Sequence, residues 1–425
     1  MRLNNLLLAS TKTCLLRKNI VTRSISTKSF NKGNEKPNHT TIEWEDGHIS
    51  EFHNAWLRDH CRCDKCIDPS TFQRSFDTLN ITNHVLKKES KISEISENKE
   101  TNEITIKWND DVNSNLNCTA SKFPSDWLRD HCYTEKERKS RMRLQQLRRK
   151  GWMPNELITR CSGELPFVEH GELMDTSNDN HGLRKFIEHL DIHGIVFVKN
   201  CPLSIEETEK AVRRFGGPRE TTPWGLMWDT KPNSSPKDTA YTNIALLPHN
   251  DCCYLEDQVA LQVFNCVAKA GEGGASTWID GFKVAETIEM EHPDVYDFFS
   301  NVSLPYLCVY EGVDVRSEGP VFQHDKNNVL KQVRFNNYDR APIEKLSSTE
   351  VDQFYEYLPI LYNEFRDEKY TLKHTLDVGE MVVIDNWRVL HGRDEFEGYR
   401  NLRGCYVGRD DIDSTKRQYI QDMAI

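Results

Sequence analysis

His249 and Asp251 stand one residue apart, and His391 follows far downstream. In an extended segment, side chains at i and i+2 point to the same face. His249 and Asp251 can therefore reach one ion, with His391 completing the set. Two histidines and a carboxylate leave positions open on the metal, which suits a non-haem Fe(II) oxygenase. A lone His-x-Asp is more often a surface turn; the distant His391, and Arg400 beyond it, make the pattern specific. Arg400 offers a planar fork that can take a carboxylate bidentately. Arg393 lies closer to His391 and could equally organise the residues behind the ligands. Cys252 and Cys253 adjoin the set, but soft sulfur favours zinc or a cluster, so both read as packing residues. Farther upstream, Cys61-x-Cys63-x-x-Cys66 gathers three thiols in one tight loop.

Strands have to present these groups. Ala240–Leu247 is a strand-like run ahead of His249, and Met381-Val-Val-Ile384 is a buried strand leading to the polar turn that carries His391. His181–Leu190 reads as an amphipathic helix and Gly194–Val198 as a buried strand. Ser204-x-x-Glu207 opens a second helix with a capping box. Short strands at 240–247, 259–267, 276–279, 302–309, 331–336, 381–390 and 403–408, separated by turn signals, fit a double-sheet jelly roll. Nearer the N-terminus, Thr41–Phe52 alternates as a hairpin with Asp46-Gly47 at its turn. Ile104–Trp108 begins a similar pattern after a polar stretch at 85–103 that reads as a solvated loop. Trp56-Leu-Arg-Asp-His-Cys61 recurs letter for letter as Trp127-Leu-Arg-Asp-His-Cys132, so two related β-modules are expected. The basic run Lys136–Lys150 has helical composition and ends at Gly151. The expected organisation is α+β: a small β-rich N-terminal domain at 40–150, then a jelly-roll domain with flanking helices at 160–425.

A chain of 425 residues, 37% hydrophobic and 28% charged, can fill two cores. Its formal net charge of −11 disfavours nucleic acid, and no apolar run approaches the roughly 18–20 residues of a membrane span. Thirteen scattered cysteines without a secretory signal read as reduced thiols. The first thirty residues of the 1–33 segment carry Arg2, Lys12, Arg17, Lys18, Arg23 and Lys28, many Ser and Thr, and no acid. That is the composition of a mitochondrial transit peptide, and the matrix is the expected compartment. A homodimer is compatible with all of this but not required by it.

His249-x-Asp251, Gly273-Gly-Ala-Ser276, Arg334-Phe-Asn-Asn-Tyr-Asp-Arg340, and Asp385-Asn-Trp-Arg-Val-Leu-His-Gly-Arg393 with Gly398-Tyr-Arg400 resemble the 2-oxoglutarate oxygenases of carnitine biosynthesis. The likeness runs from about Trp44 to Asp411. It implies a jelly roll with Fe(II) at its open mouth on His249, Asp251 and His391. It also implies O2, 2-oxoglutarate with its distal carboxylate on Arg400 and Ser276, and a use for ascorbate. The family's substrates carry a trimethylammonium group, which has no N–H to donate, so recognition falls to aromatic faces. Trp224, Trp228, Tyr241 and Tyr406 match the positions of that cage, Trp224 standing where relatives usually have tyrosine. Asn336 matches a position that holds the substrate carboxylate. The expected partner is a small trimethylammonium amino acid, and the expected reaction converts trimethyllysine to 3-hydroxy-N6-trimethyllysine. The runner-up is hydroxylation of γ-butyrobetaine. Asp238 favours the former, as an anion for the α-ammonium that trimethyllysine alone carries. A catalytically silent binding protein on this fold would not need the iron set, Arg400 and Ser276 together. The resemblance further implies structural zinc on Cys61, Cys63 and Cys66. Relatives close that site with a histidine where this chain has Thr119; its neighbour Cys118 is the expected fourth ligand, with His131 and Cys132 as alternatives.

Overall fold

The computed structural model describes residues 26–32, 38–79, 92–108, 118–230, 239–310 and 312–419. Asp238 and the first 25 residues lie outside them. The chain separates into two compact units, divided between Met142 and Arg143 inside the helix Glu135–Arg148.

In the first unit the sequence repeat is a structural one. Thr27–Lys32, His39–Trp44 and Ile49–His53 form an antiparallel sheet in that order, followed by the helix Asn54–Asp59. Ile92–Asn98, Glu103–Trp108 and Ala120–Pro124 form another, followed by Ser125–Asp130. The polar bonds match as well. Trp44 Nε1 donates to Ser50 Oγ (2.9 Å) and Trp108 Nε1 to Ser121 Oγ (3.0 Å). Trp56 stacks on His60 at 4.3 Å and Trp127 on His131 at 3.9 Å. Both modules contribute to one core through Ile42, Phe52, Leu57, Ile106, Phe123 and Leu128. Within the 85–103 stretch expected to be a solvated loop, Ile92–Asn98 is a strand, and 85–91 lie outside the described residues. A bulge between Ile92 and Glu94 brings Ile92 and Ile95 onto the core. Two well-placed isoleucines outweigh the polar composition around them. Thr27–Lys32, inside the stretch read as a leader, is an edge strand, and Glu97 accepts hydrogen bonds from Thr27 N and Oγ1.

The second unit is built on two sheets. The larger runs, in spatial order, Trp228–Asp229, Asn401–Val407, Leu261–Ala268, Met381–Asp385, Ile195–Lys199 and Phe167–Glu169. The smaller runs Leu246–His249, Val389–Arg393, Ser276–Asp280 and Leu372–His374. Alternation of side chains explains why both faces of Met381–Asp385 are apolar. Met381 and Val383 pack with Phe186, Ile187 and Leu190 of the helix His181–His193 and with Val212 of Ile205–Val212. Val382 and Ile384 pack with Trp278, Leu372 and Val389 of the smaller sheet. Two sheets closing on a shared core, with helices over the back of one, make a jelly roll. The expected strands 302–309 and 331–336 lie outside both sheets, in the separate hairpins Leu304–Tyr310 with Val313–Gly319 and Phe322–His324 with Leu330–Val333.

Two expected strands are corrected. The run 381–390 is two strands, one in each sheet, because Asn386-Trp387-Arg388 turns the chain between them. The run 240–247 becomes strand only at Leu246. Its earlier carbonyls are taken by a side chain instead: Arg393 donates to the backbone oxygens of Ala240 (3.1 Å), Thr242 (2.7 Å) and Ile244 (2.9 Å).

Candidate active site

His249 ends its strand directly opposite His391, which is flanked on its other side by Trp278. Asp251 sits in the turn that follows, held by the break between the 381–385 and 389–393 strands. Its backbone N–H donates to Asn386 Oδ1 (2.9 Å), and its carbonyl accepts from Asn386 Nδ2 (2.9 Å). The two imidazole centroids are 4.3 Å apart. Nε2 of His249 and Nε2 of His391 lie 3.4 and 3.6 Å from Asp251 Oδ1. His249 Nδ1 donates to Leu247 O (2.7 Å), which fixes the tautomer and turns the Nε2 lone pair toward Asp251. The second Asp251 oxygen accepts from Tyr406 OH (2.8 Å) and from Gln262 Nε2.

Burial opposes charge on all three groups, and their neighbours decide the outcome. For Asp251 that penalty is outweighed by His391, His249 and Tyr406, which hold the carboxyl down to about 2. Burial and then His249 push His391 down to about 3. At His249 burial is the largest influence and lowers the pKa, but the bond to Asp251, the charges of Asp251 and Asp339 and the Leu247 carbonyl together raise it. A carboxylate oxygen and two ring nitrogens thus converge, all within 4.8 Å of one another. The donor set fits a divalent iron ion and leaves open positions on it.

The Gly273-Gly274 pair delivers Ser276 to the same cavity. Gly273 has φ +72, and a Cβ there would meet Glu395 O at 2.3 Å. Arg400 Nη2 donates to Ser276 Oγ (3.3 Å). Burial lowers Arg400 to about 10, so it is still a cation at neutral pH. It is only 8% exposed, and among the described residues no carboxylate pairs with it. An uncompensated buried charge costs several kcal/mol, so this guanidinium suits an anionic ligand such as the distal carboxylate of 2-oxoglutarate.

Trp224 and Tyr241 form one aromatic pair, with centroids 6.5 Å apart; Trp228 and Tyr406 form another at 6.1 Å. Gly404 makes room for the second pair, since a Cβ there would lie 2.5 Å from the Trp228 ring. All four aromatics line one cavity together with His249, Asp251, His391, Ser276, Arg400 and Asn336. Two of these side chains make further hydrogen bonds. Tyr406 is an aromatic wall that also fastens the Asp251 carboxylate. Asn336 has both amide hydrogens engaged, on Asn250 O (3.2 Å) and Asp339 Oδ2 (2.8 Å). Arg393 ties down the segment bearing Tyr241, and Cys252 and Cys253 are buried packing residues. Gln262, Asn386 and Asp339 were not read from the sequence. Gln262 had a signal: a polar side chain between Leu261 and Val263 in an apolar strand.

In the first unit, Cys61, Cys63, Cys66 and Cys118 bring four sulfurs within 4.8 Å of one another. Cys118 Sγ lies 3.6 Å from Cys63 and 3.9 Å from Cys61. A tetrahedral zinc with Zn–S of about 2.3 Å has S···S edges of about 3.8 Å, so the donor set fits. The Cys61 and Cys66 thiols, and the Arg58 guanidinium, hold Cys118 toward the thiolate. His131 and Cys132 are elsewhere: His131 stacks on Trp127, and Cys132 Sγ meets His48 Nε2 at 3.4 Å. A third group, Cys161, His189 and His193, is flanked by the cations Arg160, Lys185 and Arg388, which disfavour an ion there.

A jelly roll with two histidines and a carboxylate beside a buried arginine defines a 2-oxoglutarate-dependent dioxygenase. The profile of the taurine catabolism dioxygenase TauD, TfdA family matches residues 166–406, and that of the γ-butyrobetaine hydroxylase-like N-terminal domain matches 32–119. The chain belongs to the TauD, TfdA dioxygenase family. It is 32% identical over 374 residues to the mitochondrial trimethyllysine dioxygenase of Rattus norvegicus, covering 87% of this chain and 83% of that protein. To the trimethyllysine dioxygenase of Meyerozyma guilliermondii it is 30% identical over 381 residues, covering 88% and 91%. To the γ-butyrobetaine dioxygenase of Pseudomonas sp. (strain AK-1) it is 26% identical over 375 residues, also covering 88% and 91%.

Proposed function

We infer that the chain hydroxylates N6,N6,N6-trimethyllysine to 3-hydroxy-N6-trimethyllysine in carnitine biosynthesis. The observation that carries the reading is likeness to trimethyllysine dioxygenases over nearly the whole chain. One cavity that joins the donor triad, an unpaired buried cation and four aromatic faces supports it. Fe(II), 2-oxoglutarate and O2 supply the oxidising chemistry when bound. The chain's own residues do the rest. His249, Asp251 and His391 hold the metal, and Tyr406 and Gln262 set the angle of the Asp251 carboxylate. Arg400 and Ser276 hold the distal carboxylate of the co-substrate. Trp224, Trp228, Tyr241 and Tyr406 receive the trimethylammonium group, each face contributing about 0.5–2 kcal/mol depending on how dry it is. Holding the trimethylammonium group in the cavity that the metal ligands also line would bring the substrate's carbon chain beside the metal.

Zinc on Cys61, Cys63, Cys66 and Cys118 would be a structural ion of the 40–150 domain, which precedes the 160–425 oxygenase domain in the chain. The basic, acid-free start of the chain supports delivery to mitochondria, with the matrix as destination. Ascorbate would act as the accessory reductant. The test is Fe(II)-dependent release of succinate on adding trimethyllysine, with wild type and His391→Ala side by side. Wild type is expected to release it and the variant not; equal turnover by a folded His391→Ala would refute the ligand set.

A further inference from the structure

Asp339 occupies a position that the proposed chemistry leaves without a task. Among the described residues, the carboxylates lining the cavity are Asp251 and Asp339. Asp251 is committed to the metal. Asp339 follows Asn336 in a tight turn, and that turn is built around it. Asn336 Oδ1 accepts from the backbone N–H of Tyr338 (2.8 Å) and Asp339 (3.4 Å), which fixes which end of the amide is which. Asn336 Nδ2 then points at Asn250 O and at Asp339 Oδ2. Both hydrogens are spent inside the protein, so Asn336 serves to aim a carboxylate rather than to receive one.

Charge counting points the same way. The lining also carries Arg393 and Arg400. Among the described lining residues, Fe(II) and a doubly charged 2-oxoglutarate leave one net positive charge with Asp251, Arg393 and Arg400, and Asp339 balances it. Trimethyllysine brings one net positive charge, whereas γ-butyrobetaine is neutral overall. Without Asp339, a positively charged cavity would have to admit a positively charged substrate.

We propose that Asp339, aimed by Asn336, is the subsite for a primary ammonium group on the substrate, the α-ammonium of the trimethylated amino acid. This rests on the trimethyllysine reading above, and the test separates the two. Wild type is assayed first on trimethyllysine and on 6-(trimethylammonio)hexanoate, which lacks only the α-ammonium. No turnover of either would defeat the functional reading itself. Given turnover, wild type is expected to favour trimethyllysine in kcat/KM by more than about tenfold, the scale a matched polar contact can supply; equal use of both overturns the proposal even if no variant folds. Asp339→Asn is expected to erase most of that ratio, mainly through the KM for trimethyllysine, while the analogue keeps its kcat/KM. Asn336→Ala is expected to lower the ratio in part. An equal loss on both substrates in Asp339→Asn would mark a merely structural role and overturn the assignment. So would a ratio that collapses in Asp238→Asn but survives in Asp339→Asn.

Discussion

Tyr406 and Gln262 fasten one oxygen of Asp251, leaving the other for the two histidines. Groups that orient a ligand typically tune metal affinity by about 10–100-fold. Tyr406→Phe keeps the ring facing Trp228 and removes only the hydroxyl. It should weaken Fe(II) binding by about tenfold or more, with a smaller change in the KM for trimethyllysine; an Fe(II) titration of the purified variant checks this. Unchanged affinity would mean that the hydroxyl does not position the carboxylate. At this scale the sequence was most readable where chemistry restricts residue type. Only a few side chains bind iron or fork a carboxylate, so His249, Asp251, His391 and Arg400 stood out. Asn386 did not, because an amide that supports another residue leaves no distinctive spacing, and Gln262 showed only as a polar side chain within an apolar strand. Tyr406 was legible as an aromatic face but not as a hydrogen-bond donor.

The elements are pinned by buried ion pairs in the Asp385-Asn-Trp-Arg388 stretch. Arg388 donates to Asp280 through Nε (3.0 Å) and Nη2 (2.7 Å), and both side chains are fully buried. Arg388→Met should leave that carboxylate without its partner and cost about 3–5 kcal/mol, read as a lower denaturation midpoint at unchanged m-value. Asp385 joins Arg149 to Arg409, the first residue of the helix Arg409–Tyr419. Burial would raise its pKa, but Arg409, Arg149 and Lys416 hold it far below the usual range. Its stabilising contribution is therefore complete above the unfolded value, about 3.9, and is lost as pH falls toward the folded one. Between about pH 5 and 2, wild type should lose stability more steeply than Asp385→Asn; parallel acid profiles would contradict this. Strand periodicity revealed the sheets because alternate apolar residues must face two cores. It missed the end of the 381–385 strand, where a polar turn continues an apolar run, and the irregular 240–244 segment, whose carbonyls Arg393 satisfies.

Over the whole molecule, the duplicated Trp-Leu-Arg-Asp-His-Cys hexapeptide signalled two modules but not what distinguishes them. Only the first copy continues into Cys63 and Cys66, and those thiols meet Cys118 from the other module. That long-range meeting was invisible to spacing, which left His131 and Cys132 as alternatives. Protein purified without added metal should contain about one zinc per chain. Cys118→Ser should lower that content and the thermal stability of the first unit, whereas His131→Ala should retain the metal. Zinc-free protein that is folded and fully active would exclude the site.

Substrate choice is the property that joins residue, element and chain, and a direct competition assay reads it. The purified full chain, supplied with Fe(II), 2-oxoglutarate and O2, is given trimethyllysine and γ-butyrobetaine in parallel, and the hydroxylated products and succinate are quantified. The expected result is faster turnover of trimethyllysine, with close to one succinate formed for each 3-hydroxy-N6-trimethyllysine. Faster hydroxylation of γ-butyrobetaine, or succinate formed without hydroxylated trimethyllysine, would contradict it.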